Sequence, residues 1–242
     1  MRVVAIVQAR MGSTRLPGKV MLDLAGEPLL VRVVNRTRRA QAVREVVVAT
    51  TLQPDDDNIV SLCDQKGWHC FRGSEDDVLD RYYHAALAYR ADVIVRITSD
   101  CPLIEPEIVD RVMQVFSEGQ PGIDYACNVL PTRTFPRGLD TEIISFEALE
   151  RAWNEDLNPR SREHVTPYIY QNDHLFRLHG IVNEVDYSRM RWTVDTPEDL
   201  EFVRCIYDHF GHDCFSWQEV LAVLKDKPEW LEINRHVQQK VI

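Results

Sequence analysis

The sequence predicts an α/β protein with a doubly wound, mostly parallel sheet and a smaller appended lobe. Three observations predict it. Short continuous apolar runs alternate with stretches of helical spacing through the first 118 residues. Polar turns carrying Gly, Pro or acids separate them. The length of 242 residues suits one large domain that buries a sizeable core.

The elements follow in order. Val3–Gln8 is an apolar run of the kind buried on both faces of a parallel sheet, so the N-terminus reads as a strand rather than a signal peptide. A polar loop, Ala9–Lys19, comes next. Leu29–Arg39 places Leu29, Leu30, Val33 and Val34 at helical spacing. Glu45–Thr50 is a second strand. Asp55–Asp57 opens a helix to about Lys66, since acids favour helix N-termini. His69–Arg72 is a short strand, and Asp76–Arg90 a helix carrying Val78, Leu79, Tyr82, Ala86 and Leu87. Val93–Ile97 is a buried strand ending at Thr98-Ser99-Asp100, and Pro106 starts a helix to Glu118. Such units wind right-handed, and their ligands sit beyond the carboxyl ends of the strands at a switch point. Residues 10–19 and Asp100 both fall at such ends.

The second half is less regular. Strands are expected at Ile123–Asn128, Leu139–Ser145, Phe176–Val182 and Arg191–Thr193. Helices are expected at Phe146–Asn154, Ser161–Tyr170, Thr196–Phe210 and Ser216–Leu224. Thr196 caps its helix, with Pro197 at the first position and Glu198 and Asp199 in the first turn.

Composition excludes several classes. A net charge of −10 argues against a dedicated nucleic-acid binder, and no stretch approaches the ~20 apolar residues of a membrane span. The six cysteines form no C-x-x-C pair and read as reduced, mostly buried thiols of a cytoplasmic protein. Residues 1–44 hold nine Arg/Lys against Asp23 and Glu27, a local balance of +7 that points to an anion site. Within it, Arg32, Arg36 and Arg39 read as the solvated face of a helix, whereas Arg10, Arg15 and Lys19 lie in the loop. His209, His212 and their acidic neighbours read as helix-end caps rather than a zinc site, and Asp55–Asp57 as a helix start rather than a glycosyltransferase Asp-x-Asp.

Gly12-Ser13-Thr14-Arg15-Leu16-Pro17-Gly18-Lys19 is not a P-loop. Five residues separate its glycines where a P-loop has four, Val20 follows the lysine, and Pro17 stiffens the middle. Its residue types still suit a triphosphate. Small residues admit phosphate oxygens to backbone N–H groups, Arg10 and Arg15 offer paired hydrogen bonds, and Lys19 a compact charge.

The run Val7–Lys19 closely resembles the signature loop of the CMP-sugar synthetases, the cytidylyltransferases that activate sialic acid and 3-deoxy-manno-octulosonate. The branch of spore coat polysaccharide biosynthesis proteins is the nearest in likeness. Gly73–Tyr82, Arg96–Ile104, Pro136–Glu142, Arg162–Tyr168 and Trp192–Leu200 resemble that branch too. The resemblance implies a Rossmann-like fold, CTP and Mg²⁺, and a cytoplasmic homodimer with a small dimerisation and acceptor lobe. It divides a single domain into a nucleotide half (1–120), an acceptor and second-carboxylate region (121–205) and a helical tail (206–242). It places Ala9, Arg10, Gly12, Ser13, Arg15 and Lys19 on the nucleotide, Arg72 near its base, and Asp100 and Asp195 on the metal. The octulosonate enzymes' His-Gln-Ser-Gly-Thr-Glu-Arg stretch is replaced here by Ser74–Tyr82, and the sialic-acid enzymes' Asp-x-Asp by Thr193-x-Asp195.

The expected chemistry is in-line attack of a sugar-type acceptor on the α-phosphorus, with Arg15, Lys19 and Asp100 as catalytic groups. Arg137, Asp140, Glu142, Glu163 and His164 lie in polar turns beside strands and are candidate acceptor contacts, with Arg162 as an alternative to Arg137 for an acceptor anion. A sugar 1-phosphate nucleotidyltransferase using another NTP, and a nucleotide-sugar-dependent glycosyltransferase, are the competing enzyme readings. A non-catalytic partner subunit conflicts with the intact Arg15, Lys19 and Asp100.

Overall fold

A computed structural model describes residues 1–119 and 121–239. Strand β1 (Val3–Gln8) lies mid-sheet, parallel to β4 (Glu45–Thr51) on one side and β6 (Val93–Thr98) on the other. Its alternation explains its continuous apolarity. Val3, Ala5 and Val7 face one core with Leu30, Val112 and Phe202, while Val4 and Ile6 face a second with Leu79, Tyr82 and Leu149.

With β5 (His69–Gly73), β7 (Tyr125–Cys127), β8 (Glu142–Ser145) and β9 (Leu178–Gly180), the sheet has seven strands in the order β5-β4-β1-β6-β8-β7-β9. Only β8 runs against its neighbours. The α/β class and mostly parallel sheet are those expected. A two-residue ladder of β2 (Asp23–Leu24) and β3 (Glu27–Pro28) was not anticipated. It closes through Ala25 and Gly26, both at positive φ.

Helices α1 (Leu29–Thr37), α2 (Asp57–Lys66), α3 (Val78–Ala88) and α4 (Pro106–Glu118) connect the first strands as the periodicity predicts. The second half holds α5 (Phe146–Glu155), α6 (Pro159–His164), α7 (Pro167–Tyr170), α8 (Pro197–Phe210) and α9 (Trp217–Asp226). The expected helix at Ser161–Tyr170 is thus two. Val165 takes φ 73 between them and Pro167 opens the second, because proline cannot donate into a continuing helix. Arg191–Thr193 is not a strand. It makes one isolated bridge, Arg191 to Arg137, before the chain turns into the cap of α8.

The arginines of α1 overturn the expected solvated face. Arg36 is fully buried. Its guanidinium donates to the carbonyls of Ile104 (2.7 Å), Asp213 (2.7 Å) and Phe215 (3.0 Å) and pairs with Glu105 at 3.4 Å. Arg32 donates to the Leu24 carbonyl at 3.0 Å, and Arg39 reaches the Asp213 carbonyl. Helical spacing alone does not distinguish such a buried clamp from a wet face. The partners, carbonyls far along the chain, leave no mark in the local sequence.

Candidate active site

The site forms where β1 and β6 end side by side. The loop after β1 folds back on itself, with Ser13 and Gly18 both donating their N–H to the Met11 carbonyl, at 2.9 and 3.0 Å. Gly18 takes φ 66, which a side chain would strain, and the chain then enters a 3₁₀ turn at Lys19–Met21. Asp56 anchors the loop from outside. It is buried, accepts the Met11 N–H at 2.7 Å, and is held by Thr51 through its N–H (3.1 Å) and hydroxyl (2.5 Å). Burial opposes its charge, but these hydrogen bonds outweigh burial and hold its carboxyl below the usual range. Asp56 was expected only to open a helix.

The 3₁₀ turn aims Lys19 across the sheet edge. Its ammonium lies 3.2 Å from Asp100 Oδ2, 2.8 Å from Asp195 Oδ1 and 2.8 Å from the Val194 carbonyl. Arg15 reaches Asp195 Oδ2 at 3.0 Å. Asp100 is carried by the turn after β6, and Asp195 by the segment that docks on that turn, where Val194 N–H donates to the Asp100 carbonyl at 2.8 Å. Four groups from residues 15, 19, 100 and 195 thus meet at the switch point. Burial alone would lower the Lys19 pKa, but the Asp100 and Asp195 carboxylates raise it above the usual lysine value. Burial likewise opposes the charge on Asp100, but the Lys19 ammonium together with hydrogen bonds from Thr98 and Cys101 keeps the carboxyl below the usual range. Both groups stay charged at neutral pH.

Two carboxylate oxygens within reach of one cation form a hard-oxygen donor pair. A magnesium ion takes one or two carboxylates, substrate phosphates and waters, so these residues fit that ion, with the Lys19 ammonium standing at the shared point.

The other expected nucleotide contacts have their partners outside this cluster. Arg10 is exposed, 3.8 Å from Glu75, and Gly12 packs near the same carboxylate. The Ser13 hydroxyl accepts the Leu16 N–H at 3.4 Å. Ala9 is buried and donates its N–H to the Ala49 carbonyl at 3.1 Å. Arg72 ends β5 but is committed to the neighbouring loop, donating to Thr51 O (2.8 Å), Gln53 O (3.0 Å) and Asp57 (2.6 Å).

The candidate acceptor residues separate. The turn Pro136–Gly138 lies against Trp192–Thr193, two residues before Asp195. Gly138 has φ 103, and a Cβ there would come 2.7 Å from the Trp192 carbonyl carbon. Asp140 is paired bidentately with Arg133. Half-buried Arg137 stands beside them, its pKa lowered by burial and then by the Arg133 charge. Glu142 is a correction. Its carboxylate is buried on β8 and taken up internally by Arg96, by Tyr125 Oη at 2.6 Å and by Thr166 Oγ1 at 2.7 Å. The strand expected at Leu139–Ser145 is present, but it turns the Glu142 side chain into the core rather than toward an acceptor. Arg162 also turns inward, to Asp77 (2.8 Å) and to the Trp153 and Asp156 carbonyls (2.8 Å each). Glu163, exposed, and His164 end α6, which packs on α3.

Comparison with known proteins agrees with this architecture. The cytidylyltransferase family profile matches residues 4–221. An uncharacterised protein of Methanocaldococcus jannaschii is 37% identical over 99% of this chain and 97% of its own. The spore coat polysaccharide biosynthesis protein SpsF of Bacillus subtilis is 32% identical over 94% of this chain and 95% of its own. The structure of a cytidylyltransferase from Leptospira borgpetersenii superposes with a TM-score of 0.92 at 36% identity, covering 100% of this chain and 99% of that one. With its cationic loop facing two carboxylates at the switch point of a seven-stranded sheet, this chain belongs to the cytidylyltransferase family and is a nucleotidyltransferase.

Proposed function

We propose that the protein uses CTP to activate a sugar acid as its CMP derivative, releasing pyrophosphate, in the assembly of a surface polysaccharide. The single observation that carries this reading is the meeting of Arg15, Lys19, Asp100 and Asp195 at one point of the sheet edge. A triphosphate laid there exchanges the carboxylate partners of Arg15 and Lys19 for phosphate oxygens, and Asp100 and Asp195 are freed to hold Mg²⁺. Bound magnesium supplies charge neutralisation of the triphosphate. Ser13, Gly12 and Arg10 line the same loop and complete the phosphate contacts, with Ala9 and Arg72 toward the nucleoside.

In the reaction an acceptor hydroxyl oxygen bonds to the α-phosphorus while the α–β bridging P–O bond breaks. Pyrophosphate leaves with that electron pair, and the hydroxyl proton passes to solvent. Arg15 and Lys19 stabilise the charge that builds on the leaving group. Arg137, with Asp140 and Arg133 beside it, is the cation available to an acceptor carboxylate. The likeness to SpsF supports the polysaccharide setting. The resemblance extends to a cytoplasmic homodimer, which light scattering tests.

The deciding experiment measures pyrophosphate release with Mg²⁺ across the four NTPs and a panel of sugar acids, neutral sugars and sugar 1-phosphates. Release confined to CTP with a sugar acid is expected. Release with another NTP and a sugar 1-phosphate replaces this reading with the sugar 1-phosphate one. NDP-sugar consumption without pyrophosphate replaces it with glycosyl transfer.

A further inference from the structure

Behind Asp195 lies a second, buried layer built partly from the segment that carries Asn234 and Gln239. Arg191 is buried and holds Asp199 with two parallel bonds, Nε to Oδ1 and Nη2 to Oδ2, each 2.9 Å. The same Nη2 also reaches Asp195 Oδ2 at 2.8 Å. Asp199, fully buried, accepts the backbone N–H of Asp195 (3.0 Å) and of Thr196 (3.1 Å) through Oδ2. Both the backbone and one carboxylate oxygen of Asp195 are therefore fixed, and Oδ1 is the oxygen turned toward Lys19.

The far side of this layer is closed by the segment after α9, beyond the residues that the family profile matches. Buried Asn234 donates through Nδ2 to the Arg191 carbonyl (2.9 Å) and to Asp199 Oδ1 (3.0 Å). Gln239 Oε1 accepts from Arg191 Nη1. An arginine with a planar fork suits this task. It grips Asp199 with two parallel bonds while reaching Asp195, a fixed planar geometry that a lysine ammonium on a flexible stem does not impose.

We infer that Arg191, Asp199 and the tail residues Asn234 and Gln239 are positioning residues that hold Asp195 in its metal-binding orientation, so that the C-terminal segment sets the protein's affinity for the divalent cation. The inference rests on the reading of Asp195 as a metal ligand. Partners of this kind, hydrogen-bonded to a ligating carboxylate, set the affinity of the ion held in front of them.

The test is Mn²⁺ binding to the full-length protein with CTP bound, followed by the electron paramagnetic resonance of free Mn²⁺, alongside CTP binding measured in chelator without metal. Arg191→Lys and Asn234→Ala are each expected to weaken Mn²⁺ binding by about 10-fold or more, with metal-free CTP affinity within about twofold of the parent. Gln239→Ala, on an exposed residue, is expected to weaken Mn²⁺ binding about threefold and keeps the test open if the buried variants do not fold. Asp195→Asn separates the two layers of the argument. If it leaves Mn²⁺ affinity unchanged, the reading of Asp195 as a ligand is wrong. If it weakens binding while the folded Arg191, Asn234 and Gln239 variants keep the parental affinity, the positioning role alone is overturned.

Discussion

Two ionic clusters flank β6, and their contrast is instructive. One joins Lys19 and Arg15 to Asp100 and Asp195 at the carboxyl edge of the sheet, part-exposed. The other joins Arg96 on β6 to Glu142 on β8, with Tyr125 and Thr166 also donating to the Glu142 carboxylate. The charges are of the same types, and in both clusters burial is outweighed by the cation and the surrounding hydrogen bonds together: Glu142, like Asp100, is held below the usual carboxyl range. What differs is access. Arg15 and Asp100 open the first cluster to solvent at 37% and 25% exposure, against 13% for Arg96 and 9% for Glu142 in the second. Exchangeable pairs serve chemistry, and sealed pairs serve the fold.

The strongest way to break this comparison is to remove one member from each cluster. Lys19→Ala and Asp100→Ala should each cut turnover by on the order of 10³, about 4 kcal/mol of transition-state stabilisation, while urea unfolding stays close to parental. A severe loss of stability with modest loss of turnover would reverse the assignment of roles. Glu142→Ala should do the opposite. Leaving Arg96 buried without its carboxylate costs about 3–5 kcal/mol of unfolding free energy, while metal-free CTP affinity, read by calorimetry, stays within about twofold. An unchanged unfolding midpoint would mean the sealed cluster is dispensable.

Asp56→Ala sharpens the comparison at the loop. Losing a carboxylate that orients the Met11 N–H should raise the KM for CTP by about 10-fold, roughly 1.4 kcal/mol, with a smaller change in kcat. An equal fall in kcat at constant KM would place Asp56 in the chemical step instead. The smallest effect concerns pH. Because folded Asp100 and Glu142 titrate below their ordinary values of 3.8 and 4.5, the unfolded chain binds their protons first. The stability they lend is full at neutral pH and is lost as pH falls below those values. Urea unfolding from pH 7 to 3 should show a shallower acid limb in Glu142→Gln than in the parent. An identical limb would remove Glu142 from the acid transition.

Most of the sheet was legible in the sequence, because β1, β4 and β6 are buried on both faces and read as unbroken apolar runs. The cationic loop and Asp100 were legible for a related reason: they sit at strand ends, where chain order and spatial order coincide. Glu142 was not, since a glutamate on a strand looks the same whether its partner is solvent or Arg96 across the ladder. Arg191 was seen only as part of a supposed strand, and its partners at 199, 234 and 239 are too distant in sequence to leave a local pattern. The signals that would have found it are the Asp199 of the α8 capping box and an arginine shortly before it.

The guanidinium of Arg36 has a consequence for how the polypeptide is made. Two of its carbonyl acceptors, at Asp213 and Phe215, lie 177 and 179 residues after it and are synthesised long after it. Until then α1 carries a cation with half its acceptors missing into the layer it must fill, and burying it so is costly. The layer over α1 therefore seals only once residues 213 and 215 are in place. The segment between α8 and α9 completes a closure that α1 begins, and burial of Arg36 waits on residues 213 and 215.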